Sequence, residues 1–175
     1  MKRKDYDGLV LGITPGARML GFVVFERAGL ILEWGGKEVR ESELSALLTR
    51  GREVMERFAP SVLVLEDVHH ASSKRGKRMT NLVERLGTLA KGRGIAVERV
   101  PRAEMVTMFK RMGARNKDDI AAAVARLLPE LGARLPPRRR IWDSEHYAMA
   151  MFTAAAFVLT HFARGRNGKN AGASP

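Results

Sequence analysis

The sequence contains no cysteine among its 175 residues. It can therefore form neither a disulfide framework nor a thiolate metal site, and this composition is typical of a protein of the reducing cytoplasm, where we expect it. The basic start, residues 1–4, is followed by Asp5-Tyr6-Asp7 in place of the apolar core of a secretion signal. The longest apolar stretch, Tyr147 to Phe162, contains polar residues and is shorter than the ~20 residues of a membrane span. We expect a buried helix there and no contact with a membrane.

Negative charge and aromatic side chains are also scarce. Lysine and arginine number 31 against 19 acidic residues, which gives a formal net charge of +12 and a pI of about 10.8. Such an excess favours a polyanionic partner through counterion release, although a merely soluble basic surface would have the same composition. With only 6% aromatic residues, base stacking along a single strand is disfavoured. We therefore expect contacts to the backbone of DNA, duplex or branched, or of RNA.

The pattern of apolar residues predicts alternating strands and helices. Three short β-rich runs separated by glycine-containing turns indicate an antiparallel meander, and a continuous apolar run from Val62 to Leu65 indicates a strand buried on both faces. Helical spacing of apolar residues and candidate capping residues locate the helices. The predicted strands are Leu9–Ile13, Leu20–Phe25, Leu30–Trp34, Val62–Leu65 and Ile95–Val100; the predicted helices are Glu43–Phe58, Asn81–Lys91, Pro101–Met112, Lys117–Leu128 and Ser144 to about Phe162.

This order of elements predicts the fold class. A meander, then a helix, a strand, a helix, a strand and further helices is the order of a ribonuclease H-like α/β fold, with a mixed central five-stranded sheet flanked by helices on both faces. We expect one domain over residues 8–164, a basic N-terminal extension over residues 1–7 and a disordered basic tail over residues 165–175.

The first strand leads into a Gly-Pro-Gly turn, in the segment Gly8 to Arg18. This segment resembles the opening strand of the RuvC family of Holliday junction resolvases, whose pattern is Gly-Ile-Asp-Pro-Gly-Ser/Ala-Arg. In that family the aspartate binds a catalytic metal ion. Thr14 stands at that position here, so the resemblance implies that the first metal-binding carboxylate is missing.

A second motif surrounds Glu66. The segment Pro60 to Val68 resembles the RuvC pattern Pro-Asp-x-x-x-Ile-Glu-x-Val, in which the glutamate is a metal ligand. The resemblance therefore implies that Glu66 lies in the ancestral catalytic site. A solvated carboxylate at a strand end, beside Asp67, is the alternative.

The last helix can be aligned with the family in two ways. In the first, Asp143 and His146 match the Asp-x-x-Asp/His start of the terminal helix and lie on one helical face. In the second, Thr153 takes the place of the final aspartate, so that two ligands have become threonine. We prefer the second because its match is longer. Glu145 lies about 100° around the helix from the face that His146 and Thr153 share, because each residue of a helix turns by that angle.

These positions predict a weakened centre. Two-metal cleavage of a phosphodiester needs several converging carboxylates, and a threonine hydroxyl cannot supply their charge. The cofactor is Mg²⁺ or Mn²⁺ if the protein is active and none otherwise. The candidate catalytic positions are Glu66, Asp143, His146, Glu145, Thr14 and Thr153, and the residues that could bind one ion weakly are Glu66, Asp143 and His146.

Clusters of basic residues predict the nucleic-acid-binding surface. The segment Ser72 to Arg78 follows Glu66 where the RuvC family has a DNA-contacting loop, and an arginine cluster precedes the last helix. Paired guanidinium hydrogen bonds suit phosphates. The candidate phosphate-binding residues are Lys74, Arg75, Lys77, Arg78, Arg138, Arg139 and Arg140, with a third cluster at Lys110, Arg111, Arg115 and Lys117.

Three functions remain open on the sequence. The leading one is a RuvC-like protein that binds branched or duplex DNA and has a weakened or lost nuclease centre. The alternatives are an active Mg²⁺- or Mn²⁺-dependent junction endonuclease and a non-catalytic structural assembly protein of the same fold. RuvC resolvases act as homodimers on symmetric four-way junctions, so the resemblance also implies a homodimer.

Overall fold

A mixed five-stranded sheet with helices on both faces forms the centre of the computed structural model. The structure describes residues 8–16, 19–39, 43–138, 140, 146 and 148–170. The strands are β1 (Val10–Pro15), β2 (Met19–Arg27), β3 (Leu30–Glu38), β4 (Val62–Glu66) and β5 (Ala96–Val100). The helices are α1 (Leu44–Phe58), α2 (Lys77–Gly92), α3 (Arg102–Lys110), α4 (Lys117–Leu127) and α5 (Met149–Asn170), with a 3-10 helix at Pro129–Arg134.

The strands lie in the order β3-β2-β1-β4-β5. The first three pair antiparallel as a meander, whereas β4 and β5 extend the sheet parallel to β1. Each parallel connection carries a helix, because a crossover between parallel strands needs a long connection. The predicted fold class is confirmed.

Two hydrophobic cores lie on opposite faces of the sheet. Side chains of a strand alternate between faces, so Leu11 and Ile13 of β1 pack with α1 and α2. Val10 of β1 and Val64 of β4 instead pack with α3, α4 and α5. Val62 to Leu65 are all almost fully buried, as predicted for a central strand covered on both faces.

Two helix boundaries differ by four residues or more from the sequence-based expectation. Helix α2 begins at Lys77 rather than Asn81, because Met79 extends the apolar stripe one turn towards the N-terminus and packs on the core. Helix α5 begins at Met149 and continues to Asn170, beyond the expected end near Phe162. Its predicted start at Ser144 lies outside the described residues. The predicted N-cap of α4 is confirmed, since Asn116 Oδ1 accepts a hydrogen bond from Asp119 N at 2.9 Å.

Helix α5 lies directly against the sheet because the strands beneath it carry glycines. A Cβ on Gly21 would lie 2.3 Å from the carbonyl carbon of Ala150, and a Cβ on Gly12 would lie 2.5 Å from Val158 Cγ2. The residues of α5 from Met149 to Val158 are almost fully buried, as predicted. Within the part of the chain that the structure describes, no helix has both the length and the apolar character needed to cross a bilayer.

Candidate functional site

The ends of two neighbouring parallel strands bring Thr14 and Glu66 to the same edge of the sheet. In the register of β1 and β4, Gly12 lies opposite Val64, and Thr14 and Glu66 each follow two residues later. Because side chains two residues apart share a face, both point to the α5 side. Their exposed fractions are 4% and 3%. The two strand-end positions singled out in the sequence are thus adjacent and buried.

Helix α5 places Thr153 on this same side of the sheet. Thr153 is buried, and its hydroxyl donates a hydrogen bond to the carbonyl of Met149 at 3.0 Å. This is the ordinary bond of a threonine to the preceding helical turn. A hydroxyl so engaged adds no negative charge to the site.

The carboxylate of Glu66 is bound by two arginines. Arg75 Nε donates to Glu66 Oε2 at 2.8 Å, and Arg102 Nε donates to Oε1 at 3.2 Å. Arg75 comes from the loop after β4, and Arg102 is the first residue of α3. Arg75 Nη1 also donates to the carbonyl of Pro15 at 2.7 Å, so this guanidinium joins the ends of β1 and β4. We call Glu66, Arg75 and Arg102 the Glu66–arginine cluster.

The cluster determines the ionisation of Glu66. Burial raises the pKa of this carboxyl, but the hydrogen bonds and charges of Arg75 and Arg102 together outweigh burial, so that its pKa lies below the ordinary value of 4.5. Glu66 is therefore ionised at neutral pH. Its single negative charge faces the two positive charges of Arg75 and Arg102, so the cluster as a whole carries a net positive charge.

The lowered pKa predicts a loss of stability in acid. A carboxyl whose pKa is lower in the folded than in the unfolded state stabilises the fold fully above the unfolded value, near 4.5, and this contribution disappears as the pH falls through the folded value. Urea unfolding between pH 7 and pH 3 should show this decrease, and the Glu66→Gln variant should show a smaller one. Equal pH dependence of the two proteins would contradict the assignment.

The described residues at this site do not fit a pair of divalent ions. Mg²⁺ and Mn²⁺ prefer several charged oxygen ligands. Here both oxygens of Glu66 accept hydrogen bonds from guanidinium groups, and Thr14 and Thr153 are neutral. Among the described residues, no group of three or more histidine or acidic side chains is placed to hold a metal ion. Asp143 and Glu145 lie outside the described residues.

His146 precedes α5 instead of lying on it. It is exposed, its Nδ1 accepts a hydrogen bond from Ala148 N at 3.2 Å, and its carbonyl accepts one from Met149 N at 3.0 Å. These contacts are those of a residue at a helix start. The helical face that we expected His146 to share with Thr153 does not extend to it.

The basic segment after β4 divides into three parts. Lys74 is exposed in the loop, Arg75 turns inward to Glu66, and Lys77 and Arg78 are exposed in the first turn of α2. Positive charge is unfavourable at a helix N-terminus, where no acidic residue of α2 offsets it. Helix stability therefore does not explain these two cations.

The arginine cluster before α5 is partly engaged within the protein. Arg138 Nη2 donates to Asp119 Oδ1 at 2.8 Å, although 73% of its side chain is exposed. Arg140 also has a partner within the protein. Arg139 lies outside the described residues.

A cavity of about 850 Å³ opens beside the Glu66–arginine cluster, between the loop after β4 and helices α3, α4 and α5. Thr153 and Arg102 line it. Of the third basic cluster predicted from the sequence, Lys110, Arg115 and Lys117 line this cavity, whereas Arg111 does not.

Sequence reasoning missed Arg102. Its only local signal is its position immediately after β5 and Pro101, at the start of a helix next to the strand that ends in Glu66. A cation at that place opposes the helix dipole unless an anion faces it. The contact with Glu66 spans 36 residues, so it appears only in the folded chain.

The strand order, the two-faced helix packing and the polar residues at the ends of β1 and β4 together define a ribonuclease H-like α/β protein. Comparison with solved structures shows which ribonuclease H-like proteins this fold is similar to. The RuvC structure of Thermus thermophilus has a TM-score of 0.63 and 21% identity, covering 91% of this chain and 96% of that chain. The T. thermophilus RuvC in complex with a Holliday junction substrate has a TM-score of 0.61 and 20% identity over the same shares.

A third structure, the yeast mitochondrial Holliday junction resolvase, has a TM-score of 0.53 and 13% identity, covering 93% of this chain and 83% of that chain. No protein-family model and no curated protein sequence matches the chain. The fold is thus that of the RuvC-like resolvases, as the motifs predicted.

Proposed function

We propose that this protein binds branched or duplex DNA through its basic surface and has lost the two-metal nuclease centre of its fold. The observation that carries the proposal is the Glu66–arginine cluster, in which two guanidinium groups occupy both oxygens of the carboxylate expected to bind metal. With Thr14 and Thr153 neutral, the described part of the site is positive where a two-metal centre is negative.

Charge supports the binding part of the proposal. The net charge is +12, and Lys74, Lys77 and Arg78 are exposed in the segment 8 to 12 residues after Glu66, the last residue of β4. The structural neighbours include a RuvC in complex with a Holliday junction substrate. Backbone phosphates of a duplex or a four-way junction are the polyanion that this arrangement suits. A homodimer, RNA binding and a cytoplasmic location stay predictions.

A junction assay tests both parts. We expect fluorescence anisotropy to show tight binding of a labelled four-way junction, with a dissociation constant that rises steeply with salt. The same junction, incubated with the protein and Mg²⁺ or Mn²⁺, should remain uncut on a denaturing gel.

Two outcomes would contradict the proposal. Cleavage that the Glu66→Gln variant abolishes would favour the active endonuclease. Absence of salt-sensitive binding to both junction and duplex would favour the structural assembly protein.

A further inference from the structure

The cavity beside the Glu66–arginine cluster has a strongly positive rim. Five of its lining residues are cationic, and none of the described residues that line it is acidic. One cation comes from the loop after β4, two from the first and last residues of α3, one from the segment before α4 and one from the first residue of α4. They are Lys74, Arg102, Lys110, Arg115 and Lys117. These charges favour an anionic ligand.

The floor of the same cavity is apolar. Val106 and Ile120 line it together with Phe152 and Met149 of α5, and Val106 is 42% exposed. An inorganic phosphate would leave these surfaces in water, and a volume of about 850 Å³ exceeds what one phosphate fills. Pockets of this size with a few polar groups take organic ligands. The cavity therefore suits a ligand that combines an anionic group with an apolar body.

The loop that forms one wall is held in place. Ser72 Oγ accepts a hydrogen bond from Ala103 N at 3.0 Å, and it lies 2.7 Å from His70 Nδ1. Arg75, three residues later, is bound to Glu66. The loop is thus tied both to the start of α3 and to the sheet, so the cavity exists before a ligand arrives.

We propose that this cavity binds one unpaired nucleotide, with its phosphate against the cationic rim and its base against Val106 and Ile120. The nucleotide is either part of a nucleic-acid strand or free. If the nucleotide is part of a nucleic-acid strand, the inference rests on the proposed DNA binding. It then adds that the protein prefers DNA that contains an unpaired nucleotide. An unpaired nucleotide is favoured because extracting a paired base costs a few kcal/mol.

The test compares two DNA duplexes of equal length, one fully paired and one with a single extrahelical nucleotide. We expect the full-length protein to bind the second about tenfold more tightly in a titration by anisotropy, a difference that corresponds to about 1.4 kcal/mol. Adenosine monophosphate should compete for the extrahelical site, and inorganic phosphate at the same concentration should not.

A negative charge introduced into the cavity provides the variant. Ala103 is exposed, lines the cavity and lies in the first turn of α3, where a glutamate is favourable for the helix. Ala103→Glu should abolish the preference for the extrahelical nucleotide. Ala103→Gln controls for size, and Thr88→Glu, on α2 at the opposite face of the sheet, controls for net charge; both should retain the preference.

The outcomes separate this inference from the proposed function. Equal binding of the two duplexes, together with no binding of adenosine monophosphate, would overturn the cavity assignment and leave DNA binding intact. Competition by phosphate as strong as by the nucleotide, or a preference that survives Ala103→Glu, would also overturn it. Binding of adenosine monophosphate without a preference for the extrahelical duplex supports the cavity and assigns the free nucleotide. Failure to bind any DNA would overturn the proposed function instead.

Discussion

Replacing Lys74, Lys77 and Arg78 together by glutamine is expected to weaken binding of a four-way junction on the order of hundredfold at moderate salt. Each phosphate contact contributes about 0.9 to the slope of log affinity against log salt concentration, so the slope should fall by about 3. All three side chains are exposed, and the fold does not depend on them. Anisotropy titrations at several salt concentrations measure both quantities.

The control for this experiment removes the same charge elsewhere. Arg52 lies in the second half of α1, and Arg85 and Lys91 lie in the middle and the last turn of α2; all three are exposed. Their triple replacement by glutamine changes the net charge equally but should alter the affinity and its salt slope much less. If both triple variants weaken binding alike, the surface after β4 is not the binding site and overall charge accounts for the affinity.

The Glu66→Gln substitution is expected to destabilise the fold by about 3 kcal/mol at pH 7. The carboxylate is 3% exposed and faces Arg75 and Arg102, whose side chains are 16% and 21% exposed. Removing one member of a buried ion pair leaves its partners uncompensated, which costs about 3–5 kcal/mol. Urea unfolding monitored by circular dichroism gives the change in the free energy of unfolding.

The sign of this change distinguishes the two kinds of site. In a centre of clustered carboxylates without bound metal, removing one negative charge relieves repulsion and stabilises the protein. Stabilisation by Glu66→Gln would therefore contradict the Glu66–arginine cluster. Adding Arg75→Gln should recover part of the lost stability, because residues of one network are not additive.

A surface ion pair supplies the matched control. Glu33 lies 3.6 Å from Arg57, and both side chains are at least 40% exposed. Exposed pairs contribute little, so Glu33→Gln should change the free energy of unfolding by less than about 1 kcal/mol. A loss as large as that of Glu66→Gln would mean that the Glu66 effect is not specific to its burial.

Much of the fold could be predicted because its signals are local. The meander, the buried run at Val62 to Leu65 and the Asn116 cap depend on residues close in sequence, and the structure confirms them. The start of α2 could not be predicted from the local sequence. Lys77 and Arg78 suggest a basic loop, but packing of Met79 on the core extends the helix through them.

In the candidate site, by contrast, less could be predicted from the local sequence than in the fold. The resemblance around Glu66 indicated its place at a strand end, and the structure puts it beside Thr14. Nothing local indicated that Arg75, nine residues later, turns inward while Lys74 stays exposed. The cavity likewise needs α3, α4 and α5 together, and no short segment contains its lining.

The sequence by itself determined the class of fold, the positive charge of the protein and the absence of carboxylates at Thr14 and Thr153. These follow from apolar periodicity, composition and residue identity, which are properties of the chain. Only the tertiary structure decided what Glu66 contacts and where the basic residues gather. Glu66 meets Arg102 because parallel pairing of β4 and β5 carries the start of α3 to its side, and such long-range contacts form only when the sheet assembles.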